Sequence, residues 1–562
     1  MSAHISFSPA LFALCAAILA LASSPLTADE AKASHLSLAP MFGHNAVLQR
    51  DVPLPVWGTA APDSVVEIGL FPAREQNNEA QVEVLTNVVV GTDGRWTAVL
   101  PAFPASTDES RLLFWNYPRD SYEAVKGTKA HPEVCLSSLL VTNVLFGDVW
   151  LCSGQSNMDM NYGWGLTRGK EDIETNVYDR IRLFDDPNAV SFTPLDTLSK
   201  PAEWTPCDFA HAKSFSAAGY FFAQALQRGV GFPFPGKDLE HRLGDVPIGL
   251  IEATWSGSPI CTWLSGEAYS GADPEFAAKY DALVKSIAEP APGKKPPQLS
   301  FWTPAASYNA MLHPLFPMAM KGAIWYQGCS DVNRPDLYEK LFRALVADWR
   351  AHFTHPDGFP VFLVQLASID VMHEEPVESN WAWMRWTQMR LGETVDKCGT
   401  AVIIDIDEHK EMHPKDKKTV GERLARLALV RAYAQTNVIA RASSLTNSSG
   451  RVIWREYRPE RLVEAGPIPL KAECKDGKVV ISFKNAEGLK TSDGKRLRGF
   501  QLKEENGESA FWQGDVLGET VVIRIPSDCR PVRVRYAWDD VPDCNLVNGD
   551  DLPCGPFELA VR

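Results

Sequence analysis

Ser156 is the first residue of the chain whose type and position could support catalysis. It follows residues 144–152, a mostly apolar run that has the length of a buried strand and ends in the polar sequence SGQSN. Open α/β sheets place their chemistry at the carboxyl ends of parallel strands, where a serine hydroxyl can act as a nucleophile. Taken alone, such a serine more often caps the next helix, so its assignment depends on partners elsewhere in the chain.

His413 is the predicted base for Ser156. A serine that attacks an ester needs a group to take its proton, and a neutral imidazole, which titrates near physiological pH, suits that role. His413 precedes Pro414, and proline is favoured in the first turn of a helix, so the imidazole should project from a loop onto the sheet edge that carries Ser156. His409 and His313 are the alternative bases.

Two further strand ends supply predicted donors for the negative oxygen of a tetrahedral intermediate. Gly257 follows the apolar run 246–254 and, having no Cβ, lets a backbone N–H approach the substrate closely. Gln327 follows the run 319–326 and offers a side-chain amide. Together with the N–H of Ser156 they form the predicted oxyanion hole, although either residue would also be ordinary in a turn.

The elements that must position these residues form a predicted α/β domain at 140–436. Short apolar runs alternate there with helical patterns, which predicts a parallel sheet and helices in three layers. The segment 37–139 has short strand patterns separated by Gly, Pro and Asp turns, which is typical of a β-sandwich. The strand pattern returns at 437–562, where we expect a second β-rich domain.

Composition excludes some classes of function. The 562 residues are 45% hydrophobic and 22% charged, as in folded proteins with several domains. A formal net charge of −15 argues against a nucleic-acid or anionic-membrane partner, since both require basic surface. The cysteines lack the close Cys or His spacing of a zinc site, so we expect no metal and no other cofactor.

Residues 1–28 have the pattern of a cleaved secretory signal. The almost wholly apolar run 10–22 is too short to span a bilayer comfortably. Small residues at 20–22, the end of the run, and at 26–28 offer two candidate cleavage sites. Cys15 lies inside this run and lacks the flanks of a lipid-anchor site. We therefore expect a secreted or periplasmic protein without a membrane anchor.

Five motifs follow one another along the chain. They are SGQSNM at 153–158, ATWSGSPI at 253–260, SYNAMLHPL at 307–315, GAIWYQG at 322–328 and an HP to GERLA segment that ends at Ala425. In sequence, order and spacing they resemble the sialate O-acetylesterase family of the SGNH hydrolase superfamily. The β-rich segments on both sides also resemble those of this family. The resemblance therefore covers nearly all of the chain after the signal.

The resemblance implies a flavodoxin-like SGNH domain flanked by N-terminal and C-terminal β-rich domains. It implies a serine esterase that removes acetyl groups from sugar hydroxyls, with Ser156 as nucleophile, His413 as base and Gly257 as an oxyanion donor. The expected substrate is 9-O-acetyl sialic acid, and acetylxylan or another acetylated glycan is the alternative. A carbohydrate-binding protein that has lost activity is the alternative from another class, and the oligomeric state stays open.

Two positions depart from the pattern of these relatives. Many SGNH enzymes have an Asp three residues before the His, where this chain has Lys410. The acid of the triad is therefore Glu411, Asp405, Asp407 or a backbone carbonyl, and we favour Glu411. Cys329 stands where the family more often has Glu, which should alter a hydrogen bond behind the site or at the substrate rim.

Arg385 and Trp255 are the predicted substrate-binding residues. A planar guanidinium suits the carboxylate of a sialic acid, and an indole suits the face of a sugar. Arg334 is the alternative cation. A solvated surface position is the more ordinary role for either arginine, and core packing is the more ordinary role for the many tryptophans near the strand ends.

Overall fold

The computed structural model describes residues 35–71, 83–126, 134–228, 246–290, 292–355, 358–406, 411–434, 437–446 and 452–562. The predicted signal, Asp407 and His409 lie outside the described residues. The chain divides into two compact units, 1–147 with 317–319 and 148–316 with 320–562. The predicted boundary at 139/140 thus lies inside the first unit, and 437–562 falls in the second. Among the helices described, none has the length and apolar character needed to cross a bilayer.

Strands dominate the first unit. It contains strands β1 (Ser37–Leu38), β2 (Val47–Gln49), β3 (Leu54–Thr59), β4 (Val65–Phe71), β5 (Glu83–Val89), β6 (Arg95–Leu100) and β7 (Ser106–Tyr117), a 3₁₀ turn (Pro40–Phe42) and helix α1 (Arg119–Val125). In β6 every second side chain is buried, as expected for a strand with one face on a core. β1, β3 and β6 form one sheet, and β4 pairs with β5 and β7. The strand-rich character predicted for this segment is observed, and helix α1 departs from it.

A largely parallel sheet forms the centre of the second unit. Its strands, in spatial order, are β10 (Trp204–Cys207), β9 (Tyr178–Asp185), β11 (Ile248–Thr254), the later part of β8 (Ser137–Gly154), β12 (Gly322–Tyr326), β13 (Val361–Val364) and β14 (Cys398–Ala401). β10 is antiparallel to β9, and the other neighbouring pairs are parallel. β11, β12 and β13 are buried along their whole length, which explains their continuous apolar sequence.

Helices and short turns connect these strands. The helices are α2 (Ser156–Asp159), α3 (Lys170–Thr175), α4 (Phe209–Ala212), α5 (Ala217–Arg228), α6 (Gly266–Ala272), α7 (Pro274–Ala288), α8 (Pro335–His352), α9 (Asn380–Thr394) and α10 (Lys417–Arg431). The 3₁₀ and π turns are Tyr162–Trp164, Ile260–Trp263, Tyr308–Leu312, His313–Leu315 and Cys329–Asp331. The predicted alternation of strands and helices is confirmed. α10 begins where the Asp416 side chain accepts a hydrogen bond from the N–H of Thr419 at 3.0 Å, an ordinary N-cap.

The predicted β-rich character of the C-terminal region is also confirmed. Its strands are β15 (Asn437–Thr446), β16 (Val452–Arg461), β17 (Ile468–Lys475), β18 (Lys478–Lys484), β19 (Lys490–Thr491), β20 (Leu497–Glu504), β21 (Ser509–Leu517), β22 (Thr520–Arg524), β23 (Pro531–Tyr536), β24 (Leu546–Val547) and β25 (Phe557–Ala560). Seven of them form one sheet in the order β17-β18-β22-β21-β20-β23-β25. A bridge between Ala472 and Val561 brings the two edges of this sheet together, so the sheet is nearly barrel-like.

Arg385 joins the parallel sheet to the C-terminal region. The side chain is fully buried at 0% exposure. Its guanidinium donates to the carbonyl oxygens of Leu366 and Ala367, which follow β13, at 3.1 and 2.7 Å. It also donates to those of Asp539 and Asp540 at 2.8 and 2.7 Å. The prediction that Arg385 binds substrate is therefore wrong, because its donors are used by backbone acceptors and solvent does not reach it.

Arg385→Met should destabilise the fold. The apolar replacement leaves four carbonyl oxygens without this donor in a buried environment, so we expect the free energy of unfolding to fall by about 3 kcal/mol or more. Urea denaturation followed by tryptophan fluorescence measures the loss. Arg334→Met is the matched control, because Arg334 is exposed and pairs with Glu275 on the surface. An Arg385→Met variant with wild-type stability and a raised KM would instead restore a substrate role.

Candidate active site

Three neighbouring strands end in register at one edge of the parallel sheet. Gly154 of β8 is paired with Thr254 of β11 and with Tyr326 of β12. The chain that leaves each of these strands carries one of the predicted site residues. The predicted convergence of the strand ends is thus confirmed.

Gly154 permits the turn that leads to the nucleophile. Its φ is +139°, and a Cβ placed on it would lie 2.3 Å from the carbonyl oxygen of Tyr326. Both the conformation and this backbone contact exclude other residues. Because Gly154 has no side chain, α2 begins directly after β8, with Gln155 at the N-cap and Ser156 as its first residue. Ser156 therefore does not occupy the capping position.

Ser156 and His413 form a hydrogen-bonded pair. The distance between His413 Nε2 and Ser156 Oγ is 2.8 Å, within the range that proton transfer requires. Ser156 is buried and His413 is half-buried. The alternative base His313 lies elsewhere, since its Nδ1 is hydrogen-bonded to the carbonyl of Leu195 at 2.8 Å. The pair is the arrangement of a serine nucleophile and its general base.

Asn157 ties the loop of His413 to the turn of Ser156. Its side-chain Nδ2 donates to the carbonyl oxygen of Met412 at 3.0 Å. Its Oδ1 accepts a hydrogen bond from Lys417 Nζ at 2.6 Å. Asn157, the residue after Ser156, thus binds Met412, the residue before His413, and Lys417 fixes the orientation of the Asn157 amide. These two hydrogen bonds, Asn157 to Met412 and Lys417 to Asn157, are called the tether below.

Lys417 brings a buried positive charge to the site. Its side chain is 0% exposed, and its Nζ lies 4.8 Å from the centroid of the Tyr326 ring, a cation–π distance. Lys417 is the first residue of α10, where a cation opposes the helix dipole. That unfavourable position, four residues after His413, is a signal in the sequence that could have identified Lys417. Asn157 could have been identified by its place directly after Ser156.

The environment keeps His413 in its neutral, basic form. Burial lowers the pKa of His413 below its ordinary value of 6.5, and the charge of Lys417 lowers this pKa further. Glu411 acts in the opposite direction and only partly offsets these effects. Since the neutral imidazole is the form that accepts a proton, His413 remains competent as a base below the usual titration range of histidine.

The acid of the triad is not identified by a hydrogen bond among the described residues. Glu411 is exposed, and its described influence on His413 is through charge alone. Both oxygens of the Asp405 carboxylate accept hydrogen bonds from Arg423, at 2.6 and 2.7 Å. Asp407 is outside the described residues. Glu411 therefore stays the predicted partner.

The backbone N–H groups of Ser156 and Gly257 are the candidate donors to an oxyanion. Within the described part of the chain, no acceptor is found for the N–H of Ser156 or for that of Gly257. Gly257 has a φ of +82° and is half-buried in the turn after β11. Its carbonyl accepts a hydrogen bond from Ser330 Oγ at 2.9 Å, which holds the turn in place. These donors suit the oxygen that becomes negative during acyl transfer.

Gln327 does not act as an oxyanion donor in this arrangement. Its side-chain Nε2 donates to the carbonyl of Ser258 at 3.1 Å and to Asp331 Oδ2 at 2.6 Å. Both hydrogens of the amide are therefore used by protein acceptors. Asp331 also accepts from the N–H of Ile260 at 2.9 Å. Gln327 thus braces the two strand ends that flank β8, and the predicted oxyanion role is corrected.

Trp255, the predicted sugar-binding residue, lies in the turn that carries Gly257. It is half-buried, and its ring packs 5.3 Å from that of Phe301. The backbone N–H of Trp255 donates to the carbonyl of Gly154 at 3.2 Å, so Trp255 is held directly beside the turn that carries Ser156.

No cluster of His, Cys, Asp or Glu suited to a metal ion occurs in the described parts of the chain.

Comparison with known proteins gives the family. Residues 146–430 match the profile of a carbohydrate esterase family described as sialic acid-specific acetylesterase. The sialate O-acetylesterase of Homo sapiens is 29% identical over 95% of this chain and 94% of its own length. That of Rattus norvegicus is 31% identical over 68% of this chain and 71% of its own. The chain belongs to this carbohydrate esterase family.

A solved structure of a carbohydrate acetylesterase from Xanthomonas citri agrees with this assignment. It matches with a TM-score of 0.71 and 28% identity, over 93% of this chain and 99% of the other. Members of the acetylesterase family are carboxylic ester hydrolases, so the pair of Ser156 and His413 belongs to an ester-cleaving protein.

Cys329 occupies the position at which the sequence resemblance predicts Glu. The side chain of Asn157 and the charges of Lys417 and Arg385 lie close enough to the thiol to lower its pKa. Burial raises the pKa of the Cys329 thiol to about 12, so the thiol is neutral. This chain therefore surrounds the Lys417 tether with less negative charge than a Glu at this position would supply.

Lys417→Met should shift the acidic limb of the kcat/KM profile to higher pH. Without the cation the pKa of His413 rises, so the imidazole becomes protonated, and inactive as a base, at a higher pH. Loss of the hydrogen bond to Asn157 also loosens the loop, and we expect kcat to fall about tenfold at neutral pH. The measurement is kcat/KM against pH between 4.5 and 8 on p-nitrophenyl acetate.

Lys418→Met is the matched control for this experiment. Lys418 is the next residue of α10, but its Nζ pairs with Asp172 at 2.6 Å and not with the tether. Its replacement should leave the profile unchanged, and Lys417→Arg should keep the limb near its wild-type position. A Lys417→Met variant that titrates like the wild type would contradict the role assigned to this charge.

Proposed function

We propose that the protein is a serine esterase that removes O-acetyl groups from carbohydrate, with acetylated sialic acid as its substrate. The observation that carries this proposal is the 2.8 Å hydrogen bond between Ser156 Oγ and His413 Nε2. Support for the substrate comes from the family description and from the names of the mammalian relatives, which are sialate O-acetylesterases.

The arrangement supports acyl transfer in two steps. Ser156 Oγ attacks the acetyl carbonyl carbon while His413 Nε2 takes the hydroxyl proton. The carbonyl oxygen becomes negative and is stabilised by the N–H groups of Ser156 and Gly257. His413 then returns the proton to the sugar oxygen, which leaves as an alcohol, and an acetyl-serine ester remains. Water, deprotonated by His413, cleaves this ester and releases acetate and the free serine.

The strand order supports a flavodoxin-like SGNH domain as the scaffold. Beyond β11 the sheet continues with two further strands, β9 and β10. When the other five strands are numbered in chain order, they run 2-1-3-4-5 from β11 through β8 to β14. That is the order of doubly wound folds, in which ligands bind at the carboxyl edge beside the first strand. The nucleophile follows that first strand, β8. We therefore assign the three-layer SGNH fold to this domain.

Ser156→Ala should abolish esterase activity without unfolding the protein. We expect kcat on p-nitrophenyl acetate to fall by at least about 10³-fold, since the nucleophile and base act as a unit. Ser153→Ala is the matched control, because Ser153 is a buried serine of the same strand end and its Oγ has no hydrogen-bond partner in the described structure. Undiminished hydrolysis by Ser156→Ala would overturn Ser156 as the nucleophile, and a wild-type protein without hydrolysis would favour a binding protein over an esterase.

The identity of the acetylated sugar is tested by comparing two substrates in parallel assays. Acetate release from 9-O-acetylated sialic acid and from acetylxylan is measured side by side with the same enzyme preparation. We expect the sialic acid ester to have the higher kcat/KM. Release from acetylxylan alone would leave the serine mechanism in place and replace the substrate.

A further inference from the structure

Two tryptophans break the rule that this chain buries its indoles. Trp164 is 42% exposed and Trp302 is 55% exposed. The other tryptophans whose side chains the structure describes are buried or half-buried. Exposed aromatic surface that is held in place beside a catalytic group is typical of a binding site.

Trp164 is held beside the catalytic base. The short 3₁₀ turn Tyr162–Trp164 begins at Asn161, whose side chain accepts a hydrogen bond from the N–H of Gly163 at 2.9 Å. The centroid of the Trp164 ring is 5.1 Å from that of His413, with the rings nearly perpendicular at 77°. The edge of one ring thus meets the face of the other, and much of the indole stays open to solvent.

Phe301 and Trp302 lie on the side of the oxyanion glycine. A Cβ placed on Gly257 would be 3.6 Å from the Phe301 ring, so this ring covers the turn that carries the N–H donor. The ring of Trp302 packs on that of Phe301, with the two ring centroids 6.2 Å apart. Within the turn, the N–H of Trp302 donates to Ser300 Oγ at 3.2 Å, and the N–H of Thr303 donates to the carbonyl of Ser300 at 2.9 Å.

We propose that Phe301 and Trp302 form a subsite for the sugar unit to which the acetylated sugar is attached. Trp164, beside His413, packs against the acetylated sugar itself. The occupant of the outer subsite is a neutral pyranose ring, because aromatic rings present flat apolar faces that suit the C–H face of a sugar. The inference rests on the proposed function and adds that the protein acts on glycan-linked acetyl sialic acid in preference to the free sugar.

The subsite is tested by comparing a linked with a free substrate. Trp302→Ala and the wild type are assayed on 9-O-acetyl sialic acid, on the same sugar linked to lactose, and on p-nitrophenyl acetate. We expect the wild type to prefer the linked substrate. Trp302→Ala should lose about tenfold in kcat/KM on that substrate, through a raised KM, and nothing on the other two. Trp302→Phe should retain most of the preference.

Phe511→Ala is the matched control, since Phe511 is similarly exposed at 45% but lies on β21 of the C-terminal region. It should leave all three activities unchanged. No loss on the linked substrate, or an equal loss on all three, would overturn the subsite. Wild-type enzyme that hydrolyses p-nitrophenyl acetate through Ser156 but neither sialic acid ester would overturn the proposed substrate itself.

Discussion

The hydrogen bond from Asn157 to the carbonyl of Met412 is the constraint on which the site depends. Ser156 and His413, the proposed nucleophile and base, are 257 residues apart and belong to different strand ends. Neither regular element alone fixes the 2.8 Å contact between them, because His413 lies in a loop. A side chain that joins the residue after Ser156 to the residue before His413 converts two separate loops into one rigid unit. Catalysis depends on positioning at this scale.

The tether is stable because its charge and hydrogen bonds are satisfied together. An isolated ammonium group would be costly to bury, but Lys417 meets the Asn157 amide and the face of Tyr326. The same charge disfavours a protonated His413, so one residue supports both the geometry and the protonation state of the base. At the ends of β11 and β12, Gln327 connects Ser258 to Asp331 and braces the turn that presents the N–H of Gly257.

Local patterns in the sequence predicted the pair of Ser156 and His413, to which we assign the chemistry, and the strands that precede the site residues. The apolar runs before Ser156, Gly257 and Gln327 are fully buried parallel strands, whose signal is strong because both faces are covered. Side-chain direction was not predictable in this way. Arg385 and Gln327 both carry polar groups that suit a ligand. Arg385 nevertheless donates to the carbonyl of Asp539, and Gln327 donates to that of Ser258, both of which are distant in the sequence. Such long-range partners leave no periodic pattern near the residue.

The four carbonyl contacts of Arg385 have a consequence for how this chain could evolve. A binding module that is attached through a linker is readily lost, gained or exchanged between enzymes. Here the C-terminal β region supplies the Asp539 and Asp540 carbonyls to a guanidinium rooted in α9, so its removal would leave a charged group buried without half of its acceptors. The C-terminal β region must therefore be inherited together with the parallel sheet and not exchanged between enzymes as an independent domain.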